Sequence, residues 1–173
     1  MEDVAMKHIN KLKAILNDHL HWHKSRIDCL AKILIALMVV QTVNLTRLAI
    51  FLQDKTSISI RYRRLQRFFQ HTYIEYNFIA AFIMKIFCFD QQKYYLTMDR
   101  TNWKWGKKDI NILFLGIVYK GIAIPIYWVV LNHPGNSNAN QRAALVKRFV
   151  DNFGKENILG LLADREFVGK KMV

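Results

Sequence analysis

Asp99 and Asp164 are the residues of this chain whose type and setting point most directly to chemistry. Each closes an apolar, β-rich segment, at 94–99 and 158–164. If those segments pair as parallel strands, both carboxylates emerge at one end of a sheet, where the ligand sites of open α/β sheets form. Two carboxylates a few ångströms apart repel unless a cation lies between them. Mg2+ suits that place, because it takes hard oxygen ligands and keeps positions open for phosphate oxygens. Two such ions activate a nucleophile and stabilise the leaving oxygen in phosphoryl transfer. The same two residues also fit the commoner roles of a strand-terminal aspartate, a helix cap or a solvated turn residue.

The elements that would position them follow from periodicity. Residues 1–90 have helical spacing and hold no proline. His8, Leu12, Ile15 and Leu16 make one amphipathic stripe, and Ser25 is a candidate cap for a second helix running to Val43. Asn44 caps a third. After a turn at 55–57, Ile58, Tyr62, Leu65 and Phe69 mark a fourth, and residues 73–89 a fifth. Near Gln91 the period changes. Strands are expected at 94–99, 110–119 and 122–131, with a Gly106-centred hairpin turn over 103–109. Pro125 cannot donate to a ladder, so the third strand belongs at a sheet edge. Asn136, Ser137 and Asn138 read as a turn and N-cap. A helix then runs to Phe153, Gly154 stops it, and a buried strand follows at 158–163. Three antiparallel strands, a helix and a parallel strand are the opening of an RNase H-like fold, with the first and fourth strands as central neighbours. The expected class is α+β: a helical DNA-binding region over 1–90, then the first part of an RNase H-like domain over 91–173.

The stretch YYLTMDRTNWKWGKKDINILFLGIVYKGIAIPIYWVVLNHPGNSN (94–138), followed by LLADREF (161–167), resembles the insertion-sequence-four family of DDE transposases. The segment YRRLQRFF (62–69) is similar to that family's helix ahead of the catalytic domain, so the resemblance covers essentially the whole chain. It implies DNA transposition with two Mg2+ (or Mn2+) ions, for which Asp99 and Asp164 are metal ligands. It also implies a homodimer that synapses the terminal inverted repeats of double-stranded DNA. The family's third ligand is a Glu on a helix far downstream, and its Y-R-E-K signature lies there too. The 173 residues end at Val173, before either, and Glu166 belongs to the A-D-R-E-F motif rather than standing for that Glu. The chain is therefore expected to be the front of a transposase, inactive by itself. A frameshift, a premature stop, a split element or an assembly edge each account for that.

Charge agrees with a polyanionic partner. The formal net charge is +13, and both halves are basic, with 13 Lys and Arg against 7 Asp and Glu in residues 1–90 and 13 against 6 in residues 91–173. A charge so far from zero opposes compaction unless a polyanion is bound. Arg61, Arg63, Arg64 and Arg67 lie around the fourth helix, and with the helix before it they resemble a helix-turn-helix. DNA contact and a merely solvated basic face are the two readings. Lys104, Lys107 and Lys108, with Trp103 and Trp105, make a basic and aromatic hairpin beside Asp99. Either the aromatics stack on an exposed base and the lysines neutralise phosphates, or one tryptophan packs in the core and the lysines are merely solvated. Arg165 touches phosphate or balances charge. His19, His21 and His23 lack the further ligands of a metal site and read as surface histidines. Cys29 and Cys88 have no zinc or redox spacing. No signal-peptide pattern is present, and the apolar run 33–40 is far short of the roughly 20 residues that cross a bilayer. A soluble, cytoplasmic, nucleoid-associated protein is expected. The alternatives are a non-catalytic, repressor-like DNA-binding fragment and a membrane-surface protein.

Overall fold

The computed structural model describes residues 2–52, 55–106, 108–131, 133, 135–164 and 167, with the side chains of residues 2–7, Trp105 and Lys108 excepted. Lys107 and Arg165, two of the expected DNA contacts, lie outside the described residues. The described chain is α+β, with six α-helices and a four-stranded mixed sheet. It divides into two compact units, Met1–Ile74 and Glu75–Val173, so the fifth helix goes with the sheet although its periodicity joins it to the helices before it. Among the described residues no single helix is long and apolar enough to cross a membrane.

The first unit holds α1 (Glu2–His19), α2 (Lys24–Val40), α3 (Leu45–Phe51) and α4 (Ile58–His71). Cys29, Ile33 and Ala36 of α2 pack with Leu48 and Ala49 of α3 and with Leu65 and Phe68 of α4. Asn44 caps α3 as expected, its Oδ1 accepting from the N–H groups of Thr46 and Arg47. At α2 the cap is His23 rather than Ser25, with the ring Nδ1 accepting from the Ser25 N–H. The buried stripe of α4 also differs from expectation. Leu65 and Phe68 face the core, while Ile58 and Phe69 are exposed. At 100° per residue Phe68 lies about 60° to one side of Leu65 and Phe69 about 40° to the other, so the core is on the Phe68 side of Leu65.

The second unit is built on the strand order β3-β2-β1-β4. It holds α5 (Tyr76–Ile86), a short 3-10 turn at Phe89–Gln91, β1 (Tyr94–Trp105), β2 (Lys108–Tyr119), β3 (Ile122–Leu131), α6 (Ala139–Phe153) and β4 (Ile158–Ala163). The β1–β2 and β2–β3 pairs are antiparallel and the β1–β4 pair is parallel. β3 is at an edge, as Pro125 requires. β4 is the neighbour of β1 but forms the other edge of the described sheet rather than a central position. β1 runs six residues beyond Asp99, because the hairpin zips to the Trp105–Lys108 pair. Gly106, at φ +59°, opens the tight turn, a backbone region that two-residue hairpins need and glycine enters freely. One sheet face is covered by α5 and α6. Ala80, Met84, Leu145 and Phe149 pack there on Leu96, Met98, Leu113, Leu115 and Tyr127. Asn138 and Gln141 form a reciprocal capping box at the start of α6, each side chain 2.9 Å from the other's backbone.

The β2–β3 register shifts between Leu115 and Gly116. A Cβ on Gly116 would sit 2.8 Å from the Ile124 carbonyl oxygen. That oxygen is backbone and cannot swing aside. Gly116→Ala is expected to destabilise the sheet unit by about 1–3 kcal/mol, read as a lower denaturant midpoint. An unchanged midpoint would contradict the close approach.

Candidate functional site

The site starts from one register. Met98 of β1 pairs with Ala163 of β4, the last pair of the parallel ladder. Asp99 and Asp164 each follow directly on one member of that pair. Neighbouring strands lie about 4.8 Å apart. Alternation along β1 sets the face: Leu96 and Met98 are buried under the helices, whereas Tyr95 and Asp99 are exposed on the opposite side. Asp99 is thus mid-strand, at the end of the β4 pairing rather than at the end of β1, which corrects the expected strand end. Its Oδ1 accepts the Arg100 N–H at 2.7 Å. Asp164 follows β4 directly, and its carbonyl accepts the Phe167 N–H at 2.9 Å. Phe167 is buried in the core beneath the Arg142 guanidinium, 5.7 Å from its ring, and so fixes the turn that carries Asp164.

Both carboxylates are exposed, and each offers hard oxygen atoms, which is the donor chemistry Mg2+ or Mn2+ takes. Among the described residues no third His, Cys, Asp or Glu joins them in a group that could hold a metal ion. The face around them is apolar and lacks a helix above it among the described residues. Tyr95, Trp103, Val130 and Leu162 are all about half exposed or more.

Arg100 turns to the other side of the sheet from Asp99. Its guanidinium donates to the Gly135 carbonyl and to Asn136 Oδ1, both at 3.0 Å. Asn111, fully buried on the neighbouring strand, donates to the same Gly135 carbonyl at 2.7 Å. Together they anchor the segment between β3 and α6. Sequence reasoning assigned neither residue a role. Period-two alternation was the available signal, since it puts adjacent residues of a strand on opposite faces.

The four arginines of α4 separate into different roles. Arg61 donates to the Leu52 carbonyl at 2.7 Å and, at 3.4 Å, to that of Ile50, which ties α4 to the end of α3. It is a fold-holding residue rather than an open DNA contact. Arg64 is half-buried beside Cys29. Arg63 and Arg67 are exposed on the outer face, where the second helix of a helix-turn-helix would meet DNA. On the hairpin, Lys104 is exposed, and Lys108 opens β2. Trp103 is 64% exposed, and the side chain of Trp105, the other tryptophan of the hairpin, lies outside the described residues. Trp103 shares the face of Asp99. The histidines serve the helix ends: the His19 ring meets the Ile15 carbonyl at 2.9 Å, and His23 caps α2.

No family model, no curated protein and no solved structure matches this chain.

Asn111 makes the sharpest local test. Asn111→Leu removes a buried donor and leaves the Gly135 carbonyl short of a partner, at an expected cost of about 1–3 kcal/mol. Proteolysis should then cut faster between β3 and α6 than elsewhere in the chain. Uniform cleavage kinetics would show that the network does not hold that segment.

Proposed function

We propose that the chain belongs to a DDE transposase of the insertion-sequence-four kind, acting in DNA transposition. The observation that carries this reading is the parallel β1–β4 register, whose last pair, Met98 with Ala163, immediately precedes Asp99 and Asp164. The order β3-β2-β1-β4, with the parallel strand reached through α6, supports the RNase H-like assignment. In this reading the two carboxylates hold a divalent ion, and the ion supplies charge stabilisation for in-line attack at a DNA phosphate. The protein's part is chiefly positioning. Phe167 and the β1–β4 ladder hold the aspartates in place. Arg63 and Arg67, with Lys104, Lys107, Lys108 and Arg165 where the motif puts them, neutralise phosphates of the terminal inverted repeats, and Trp103 offers an exposed ring for stacking. A homodimer joins two DNA ends in the full enzyme.

In a second reading the chain binds DNA at the element's ends and competes with a complete enzyme instead of cutting, because among the described residues no third His, Cys, Asp or Glu stands with Asp99 and Asp164. Two carboxylates hold Mg2+ loosely, since the ion favours near-octahedral geometry and gives up water reluctantly.

Binding and chemistry are tested together. Affinity of the chain for duplex DNA is expected to fall at least tenfold between 50 and 200 mM salt, as phosphate contacts release counterions. No nicked or joined strands are expected with Mg2+ or Mn2+. Salt-independent affinity would remove the DNA reading. Cleavage that disappears in Asp99→Ala would overturn the competitor reading.

A further inference from the structure

The helical unit contains a cleft of about 510 Å3 that no sequence motif announced. It opens between the first turns of α2 and the C-terminal half of α4. Ser25, Arg26 and Asp28 form one wall, and Arg64, Arg67 and His71 form the other, with buried Cys29 and Phe68 behind them. Arg26 donates to the His71 carbonyl at 3.4 Å, which brings the start of α2 to the end of α4. Three arginines from two helices therefore line one space.

The only acidic group among the described residues lining it is already neutralised. Asp28 is paired with Lys13 of α1 and, at 2.8 Å, with Lys32. Partial burial pushes the Asp28 pKa up, but the hydrogen bonds and charge of Lys13 and Lys32 outweigh that and hold the carboxyl below its usual value. Asp28 stays an anion committed to two lysines, and the three arginines give the cleft a positive excess. Planar guanidinium forks match the oxygens of a phosphate in pairs. The N-terminal end of α2 adds its backbone dipole. Phe68 and Cys29 provide an apolar back wall, against which charge interactions are screened less than in open water.

Arg67 lines this cleft and is also exposed on the outer face of α4, next to the turn that carries Arg63. A nucleic-acid strand crossing α4 would therefore run into the cleft without a break in positive charge. We propose that the cleft is a phosphate anchor, in which Arg26, Arg64 and Arg67 grip one backbone phosphate of duplex DNA. This rests on the DNA-binding reading for the identity of the partner. It adds α2 to the interface, an element outside the helix-turn-helix-like pair.

The test is fluorescence anisotropy of a labelled mixed-sequence duplex with the full 173-residue chain and three variants. Arg26→Gln removes one fork. Ser25→Asp puts a carboxylate at the mouth, in the first turn of α2, where an acidic residue favours the helix; it therefore keeps the fold while repelling phosphate. Lys85→Gln makes an equal charge change on α5, at an exposed position in the sheet unit. Arg26→Gln is expected to weaken binding about tenfold and to reduce the salt slope by about one. Ser25→Asp should do at least as much with an unchanged melting temperature, and Lys85→Gln less than twofold. If Ser25→Asp and Arg26→Gln weaken binding no more than Lys85→Gln, the anchor is wrong while DNA binding stands. If the unaltered chain shows no salt-dependent DNA binding, the DNA reading and the anchor fall together. If the substitutions leave DNA affinity intact but abolish binding of a poly-glutamate peptide, the cleft serves an acidic peptide and the proposal is overturned.

Discussion

The parallel ladder between β1 and β4 is the constraint on which the candidate site depends. It is secured where it begins. The Tyr94 N–H donates to the Asn157 carbonyl at 3.0 Å, Asn157 Nδ2 donates to the Asp90 carbonyl at 3.0 Å, and Lys93 reaches the Glu156 carbonyl. These bonds set which residue of β4 meets which residue of β1. Pairing then runs to Met98 and Ala163, the residues directly before the two aspartates. A slip of one residue would send Asp164 to the opposite face, because side chains alternate along a strand. Leu96 and Leu161 resist that slip by packing on the same core cluster, and Phe167 anchors the chain just past Asp164.

The helices answer to the same register. α6 returns the chain from β3 at one edge to β4 beside β1, and it buries Leu145 and Phe149 against the sheet as it does so. α5 lies beside it, and Asn77 links the two to the sheet. Its Oδ1 accepts from Tyr127 at 3.1 Å and from Arg148 at 2.8 Å. Burial pushes the Tyr127 hydroxyl pKa up, while Arg148 draws it back in part, so Tyr127 remains a donor to Asn77 at neutral pH. One face of the sheet is thereby closed, and no helix covers the face of Asp99 among the described residues.

Much of this was legible in the residues, and the reasons for the rest are specific. Pro125, the β-rich run 158–163, Asn138 and Gly154 are local signals, and the edge strand, β4, the cap and the end of α6 follow them. The length of β1 depended on a partner: residues 100–105 are polar and aromatic in mixture, and they become strand through pairing with 108–113. The boundary between the units was hidden because α5 has the same 3.6-residue period as the helices before it, and only its packing on Tyr127 and Met98 assigns it to the sheet. The arginines of α4 read alike as charges. Their neighbours in space, the end of α3 for Arg61 and the α2 cleft for Arg64, separate them. Arg26 was overlooked for the same reason, since its cleft partners are about 40 residues away.

The central claim is that Asp99 and Asp164 act as one divalent-cation site. Mn2+ binding to the intact chain, followed by electron paramagnetic resonance with Asp99→Asn and Asp164→Asn alongside, tests it most directly. The account predicts a weak site in the unaltered chain that either single substitution removes, with Mg2+ competing for it. Equal Mn2+ binding by all three proteins would contradict it, and so would a site lost in only one of the two variants.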